Sequence, residues 1–339
     1  MMSFFFFVLR RLALLVPTLF GVSVIGFSLT YLLPGNPALV KAGPMATPQY
    51  VAEMKHRMGL DRPLYVQYAR YATGLLHGDL GESFSTGRPV LTDFAQRLPA
   101  TFELTVASLV LALLIGLPMG VLCAIHRDTP IDHFGRIFSV AGVAMPSFWS
   151  GLILIYVFFY LLGLAPAPLG RLETGINPPF PITGLYTIDS LVTGDWRAFE
   201  SSLAHLALPS LTLAISVMAP LARMVRASML EILETDYIKA AWAAGIPRWR
   251  VLYGDALINA IVPVVTALGL VFGFLMAGNA VVESVFDWPG IGNYAVKSFM
   301  LKDPSPIQSF VLFVALMCVL VNLLVDLIYG LVDPRIRIG

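Results

Sequence analysis

The sequence predicts an all-α membrane protein with six transmembrane helices and short amphipathic helices in its long outer segment. Three observations carry that expectation: composition, the spacing of apolar stretches, and the placement of basic residues. Of the 339 residues, 57% are hydrophobic and only 13% are charged, where soluble domains carry about 25% charge. A soluble chain of this length would need far more charge to cover its surface, so lipid is the solvent for much of it.

Stretches of about 18 or more mostly apolar residues cross a hydrocarbon core of about 30 Å. Six occur: Leu12–Leu33, Thr101–Ile125, Ile137–Leu164, Leu203–Leu221, Ala260–Val282 and Ile307–Leu331. An even number of spans puts both termini on one side of the membrane. With the N-terminus inside, the inner segments hold Arg10, Arg11, Arg127, Arg136, Arg223, Arg226, Lys239, Arg248, Arg250, Arg335 and Arg337, half of the 22 basic residues on about a third of the non-membrane length. Seven of the others lie in the outer segment from Pro34 to Pro99, which is too long to count in the positive-inside rule. Both termini are therefore expected on the cytoplasmic side.

Taken in order, Arg10 and Arg11 precede the first apolar stretch and no small-residue cleavage site closes it, so it reads as an uncleaved first span rather than a signal peptide. In the outer segment that follows, apolar residues recur at helical spacing through Tyr65–Leu76, with Pro63 at the start and Gly78 past the end. Two short amphipathic helices outside the membrane are expected there. The second outer segment, "PAPLGRLETGINPPFPITGLYT", is dense in proline and glycine and predicts an ordered, turn-rich loop. Cys123 and Cys318 both lie in apolar runs, where a thiol behaves as a small hydrophobe. No repeat or linker divides the chain. The expected organisation is an N-terminal span with its outer segment (1–96), a membrane core (97–330) containing an inner loop (222–259), and an inner tail (331–339).

Several kinds of chemistry are excluded. A net charge of +1 supplies no field to recruit nucleic acid. The five histidines, His56, His77, His126, His133 and His205, show no metal-ligand spacing. "GVSVIG" at Gly21–Gly26 has one residue too many after Ser23 for a nucleophile elbow, and "GIGNYAVKS" at Gly290–Ser298 has Val296 where a phosphate-binding loop needs glycine. The chain has no ATP site of that kind, so uphill movement would draw on an ion gradient or a partner.

Three carboxylates sit toward span ends: Glu103, Glu283 and Asp326. Each reads either as a helix-end group or as a polar residue lining a translocation path, at the outer mouth for Glu103 and Glu283 and at the inner end for Asp326. Gly116 with Gly120, and Gly269 with Gly273, have the small-xxx-small spacing that lets helices approach closely. A sharper reading places Gly269, Gly273 and Gly278 at a subunit interface that forms a pore.

The inner loop is the most informative stretch. "RASMLEILETDYIKAAWAAG" carries apolar residues at helical spacing, and Gly245 followed by Pro247 ends the helix before a second one from Arg248. A helix face with Ala240, Ala241 and Ala244 can enter a partner's groove where larger side chains would collide. Equally, Trp242 and Trp249 with Arg248 and Arg250 could lie on the inner leaflet as an interfacial helix.

The "AA-x-x-x-G" of Ala240–Gly245 resembles the cytoplasmic loop of bacterial ATP-binding-cassette importer permeases, and other stretches narrow the likeness to the oligopeptide/dipeptide/nickel family. They include "LPGNPA" (Leu33–Ala38), "GLDRPLYVQYARY" (Gly59–Tyr71), "GDLGES" (Gly78–Ser83), "LPATFEL" (Leu98–Leu104) and "MPSFW" (Met145–Trp149). "LPSLTLA" (Leu208–Ala214), "FDWPGIG" (Phe286–Gly292) and "VNLLVDLIYGLVDPRIR" (Val321–Arg337) continue the series. They run in order from end to end, and the likeness is to the first permease subunit of the dipeptide type.

The resemblance implies a type I importer permease fold in a bacterial inner membrane, pairing with a homologous second permease as a heterodimer. Two ATP-binding subunits would dock beneath and use ATP and Mg, with no cofactor on this chain. A periplasmic or extracellular binding protein would deliver peptide cargo. Asp236, Tyr237, Lys239, Ala240, Ala241, Ala244, Gly245, Arg248 and Arg250 would then form the ATPase-coupling loop. The sequence departs from the pattern at Lys239, where the general loop has glutamate, and at Asp255 and Ile258, where peptide permeases often have histidine and arginine. Related permeases carry D-peptides, glutathione-like peptides or nickel chelates. A partner-free ion-coupled carrier is the rival from another class, and a membrane-embedded enzyme ranks behind it.

Overall fold

The computed structural model describes residues 4–32, 37–43, 45–278 and 280–332. Helices α1 (Phe4–Leu32), α2 (Pro37–Ala42), α3 (Pro48–Arg57) and α4 (Leu64–Leu76) precede α5 (Val90–Ile125). Next come α6 (Pro130–Ala144), α7 (Ser147–Leu154) with a π-helical continuation (Ile155–Leu161), α8 (Tyr186–Thr193) and α9 (Trp196–Leu233). The inner loop contributes α10 (Asp236–Ala243), α11 (Arg248–Arg250), a second π-helix (Val251–Ala256) and α12 (Leu257–Ala260). The chain then runs through α13 (Val262–Gly278), α14 (Ala280–Val285), α15 (Ile291–Met300) and α16 (Pro304–Val332).

Five of these helical stretches are long and apolar enough to cross a membrane, and α6 with α7 and its π-helical continuation makes a sixth if counted as one span. The expected third span is therefore not a straight rod. It bends by 107° between its two halves. The cause is local: Pro146 has no N–H to continue the ladder and crowds the residue before it, and Met145 accordingly adopts extended backbone angles (φ −82°, ψ 123°).

The residues form two compact units, one from Met1–Thr101, Met276–Ser284 and Pro289–Gly339, the other from Phe102–Leu275 and Val285–Trp288. In the first, α1 packs along α16 and meets α4. The Tyr68 hydroxyl and Ser23 Oγ lie 2.8 Å apart, and the Phe27 ring meets Tyr68 and Tyr71 at centroid distances of 5.5 and 5.8 Å. The predicted amphipathic helix at Tyr65–Leu76 is present as α4 with Pro63 before it. It does not stand clear of the membrane segment, because its tyrosines pack on the apolar stretch Ala13–Thr30 of α1. An apolar cluster of Val90, Phe94, Ile291 and Tyr294 lies nearby. Two buried aspartates moor the connection before α5. Asp303 accepts from Ser83 Oγ (2.8 Å) and the backbone N–H groups of Phe84 (2.7 Å) and Ser85 (3.1 Å), and Asp93 accepts from Thr86 Oγ1 (2.6 Å) and the Tyr294 hydroxyl (2.8 Å).

In the second unit, α9 is the central element, with α6, α7, α8, α10 and α12 against it. Its 38 residues reach about 57 Å at about 1.5 Å per residue, nearly twice the hydrocarbon thickness of about 30 Å. Gly116 and Gly120 explain how α5 reaches it. A side chain at Gly120 would lie 2.6 Å from the Ala222 carbonyl oxygen and 2.7 Å from Val225 Cβ, and one at Gly116 3.0 Å from the Met218 carbonyl oxygen. This small-xxx-small pair is a packing device.

Candidate functional site

The inner loop begins where α9 stops at Leu233. The expected single helix through Gly245 is in fact broken, because Thr235 adopts extended backbone (φ −73°, ψ 154°) and starts α10 afresh with Asp236 in its first turn. At the other end Gly245 takes a left-handed conformation (φ +75°) with open space where a Cβ would stand. Any other residue would meet only the backbone cost of that conformation, about 1–2 kcal/mol. Pro247 follows and α11 starts at Arg248, which matches the helix–turn–helix expected from the sequence.

One face of α10 is anchored. Ile238 is fully buried in an apolar cluster with Val121, Leu221, Val225, Met229 and Val251, and Ala241 and Ile246 pack against that cluster. The opposite face is uncommitted: Tyr237 is 47% exposed, and Ala240 and Ala244 are exposed. The three-alanine face therefore divides. Ala240 and Ala244 point outward with Tyr237, whereas Ala241 belongs to the anchored side with Ile238. Asp236 and Lys239 form an exposed pair at 3.2 Å. Trp242, Arg248, Trp249 and Arg250 are exposed around the turn.

Ion pairs brace the base of the loop. Arg127 Nη1 donates to Glu234 Oε1 at 2.9 Å, and the Arg226 guanidinium grips the fully buried Asp132 carboxylate through two bonds of 2.6 and 2.7 Å. The Asp128 N–H also donates to Asp132 at 3.0 Å. Charge-assisted, two-pronged contacts of this kind fix orientation as well as energy. Sequence reasoning did not single out Asp132 or Arg226, since nothing local signals a pair 94 residues apart.

At the outer end, Glu103 and Arg171 form a buried ion pair. Arg171 also donates to the Gly184 carbonyl (3.1 Å) and stacks on the Tyr186 ring at 3.5 Å. The second Glu103 oxygen accepts from the Thr187 N–H (2.8 Å) and hydroxyl (2.6 Å). Asp189 gathers the same loop, accepting from Ile182 N, Thr183 N, Thr183 Oγ1 and Gly184 N at 2.6–3.2 Å. Burial pushes the Asp189 carboxyl upward, but these donors outweigh it and hold it below the usual carboxylate range.

Glu283 lies in α14, past the apolar stretch that ends at Met276. It is fully buried and accepts from Thr101 Oγ1 (2.7 Å) and Asn293 N (2.9 Å). Burial raises it to about 7, against the downward pull of those donors and of Arg97. The same knot explains the glycines of "FDWPGIG": a Cβ at Gly290 would lie 2.3 Å from the Glu283 carboxylate, and one at Gly292 2.4 Å from Ala280 Cα. Glu103 and Glu283 are thus both held by donors within the chain. Gly273 is buried and Gly269 half-buried on α13; the surroundings of Gly278 and Asp326 lie outside the described residues.

Five apolar spans, with the bent pair as a sixth if counted as one, and a braced inner loop are those of a multi-span membrane protein. The chain belongs to the family described as binding-protein-dependent transport system inner membrane components: residues 116–338 match it, and residues 2–105 match the corresponding N-terminal family. It is 44% identical to the probable D,D-dipeptide transport system permease protein DdpB of Escherichia coli (strain K12), over 100% of this chain and 99% of that protein. It is 43% identical to the di/tripeptide transport system permease protein DppB of Pseudomonas aeruginosa (strain UCBPP-PA14), over 98% of each. A glutathione transport system permease protein, GsiC of Salmonella paratyphi A, is 38% identical over 98% of each. The crystal structure of an amino acid ABC transporter with histidines aligns with a TM-score of 0.51 at 18% identity, covering 71% of this chain and 95% of that one. That likeness concerns the fold, which is the type I importer permease fold expected from the sequence.

Proposed function

We propose that this chain is one permease subunit of an ATP-driven importer of dipeptides or short peptides, forming half of the translocation pathway. The observation that carries the reading is full-length identity of 43–44% to permeases of D,D-dipeptide and di/tripeptide transport systems. In this reading a homologous second permease completes the pathway, a binding protein delivers cargo from outside, and two partner subunits bind ATP and Mg. This chain supplies no ATPase site. Both termini are cytoplasmic, which sets the inner loop on the ATPase side. The partition into 1–96, 97–330 and 331–339, with 222–259 as coupling loop, follows.

Mechanistically, closure of the ATPase pair would push the outward face of α10, Tyr237, Ala240 and Ala244. Ile238 transmits the push because its burial couples α10 to α9 and to Val251. The paired permeases would tip between inward- and outward-facing states, and cargo would follow its differential affinity for them. Uptake of labelled dipeptides by a strain lacking the gene, with and without the restored chain, tests the cargo. Restored dipeptide uptake is expected, and restoration of glutathione uptake alone would favour the reading suggested by the glutathione relative.

A further inference from the structure

We infer that the cytoplasmic ends of α6 and α9 form a binding site for one anionic phospholipid. A cavity of about 340 Å³ lies there, lined by Gly135, Arg136, Val140, Ala222, Arg223 and neighbours. It adjoins a second, open cavity of about 680 Å³ that shares Arg136 and Val140 and adds His133 and Ile137. The walls are largely apolar, and beside Ser139 and His133 the charged groups are the arginines Arg136, Arg223 and Arg226.

Charge pairing leaves a surplus at this place. Arg226 is committed to Asp132, and Arg127 to Glu234. Arg136 Nη2 donates to His133 Nδ1 at 2.5 Å and reaches carboxylates only at the margin, Asp132 at 3.7 Å and Asp128 at 4.0 Å. Arg223 is exposed and has no carboxylate partner among the described residues. Depth favours lipid over a soluble anion. Arg136 immediately precedes the third apolar stretch, which begins at Ile137, and Arg223 lies two residues past the fourth, which ends at Leu221. Both cations therefore sit at one boundary of the hydrocarbon. From that boundary Ile137, Val140 and Val143 run along α6, 70%, 65% and 56% exposed. A phosphate held by Arg136 and Arg223 would lay an acyl chain against this apolar row. Basic pockets between spans on the cytoplasmic side suit anionic headgroups, and a zwitterionic lipid would bring a second cation against the unpaired Arg223.

Native mass spectrometry of the full chain in detergent, titrated with phosphatidylglycerol or phosphatidylcholine of identical acyl chains, tests this. Phosphatidylglycerol should be retained preferentially. Each arginine removed should weaken its retention about fivefold, so that Arg136→Gln with Arg223→Gln reduces it to the phosphatidylcholine level, whereas Arg62→Gln in the outer segment changes nothing. Should the double glutamine variant lose its thermal transition, Arg136→Lys with Arg223→Lys keeps the charge and should retain the preference. Equal retention of both lipids by the native chain, or a preference that survives loss of both arginines, overturns the proposal. Displacement by inorganic phosphate, or by the second permease subunit on assembly, would assign the groove to a soluble anion or to a subunit contact and would also overturn it.

Discussion

Two connections in the same compact unit treat their polar groups in opposite ways. The outer one, between the π-helical end of the third span and α9, folds two of its charges inward: Arg171 onto Glu103 and Tyr186, and Asp189 onto three consecutive backbone N–H groups. The inner one, α10 and its flanking turns, keeps a single fully buried side chain, Ile238, and leaves Tyr237, Ala240 and Ala244 facing outward. In the outer connection the buried carboxylates of Glu103 and Asp189 are held by donors of the same chain. The inner connection rests on a single apolar anchor and displays Ala240 and Ala244, the face that the proposed coupling role needs.

The largest effect should come from breaking the outer ion pair. Arg171→Met leaves the Glu103 carboxylate buried without its cation, which costs about 3–5 kcal/mol for such pairs. The thermal transition of the purified chain should fall sharply, and adding Glu103→Leu should recover most of it, because the uncompensated charge is what destabilises. Next, Ile238→Ala should cost about 2–5 kcal/mol, but locally. Amide exchange should accelerate through Asp236–Ala244 while the segment around Asp189 keeps its protection.

Glu103 and Glu283 sharpen the comparison further, since one buried carboxylate has an arginine and the other has hydroxyl and amide donors. Glu283 is raised to about 7 from an ordinary 4.5, so the folded chain binds its proton more tightly than the unfolded one. Its contribution to stability is complete below 4.5 and is lost as pH climbs through about 7. Melting temperatures measured across that range should decline, and Glu283→Gln should flatten the decline. The smallest effect belongs to the exposed Asp236–Lys239 pair: Lys239→Ala should shift stability by less than about 1 kcal/mol.

Much of the fold was legible because a membrane solvent writes itself into composition. Long apolar runs gave the spans, Pro63 the start of α4, and Gly245 with Pro247 the turn of the inner loop. Boundaries were harder: the 107° bend at Met145–Pro146 sits inside an otherwise continuous apolar run, and the break at Thr235 is a single extended residue within a good helical pattern. The division of the alanines depends on where Ile238 is buried, which the spacing alone does not fix. Arg171, Asp132 and Arg226 were invisible because their partners lie 68 and 94 residues away, and a lone charge in a loop carries no mark of its pair.

Ala240→Trp tests the central claim most directly. The residue is exposed on the uncommitted face of α10, so the substitution should leave the melting temperature of the isolated chain within the change expected of a surface site, about 0.5 kcal/mol. Coexpressed with the proposed second permease and ATP-binding subunits, the variant should lose copurifying ATP-binding subunits and peptide uptake together. Full retention of both, with tryptophan standing on that face, would contradict the account.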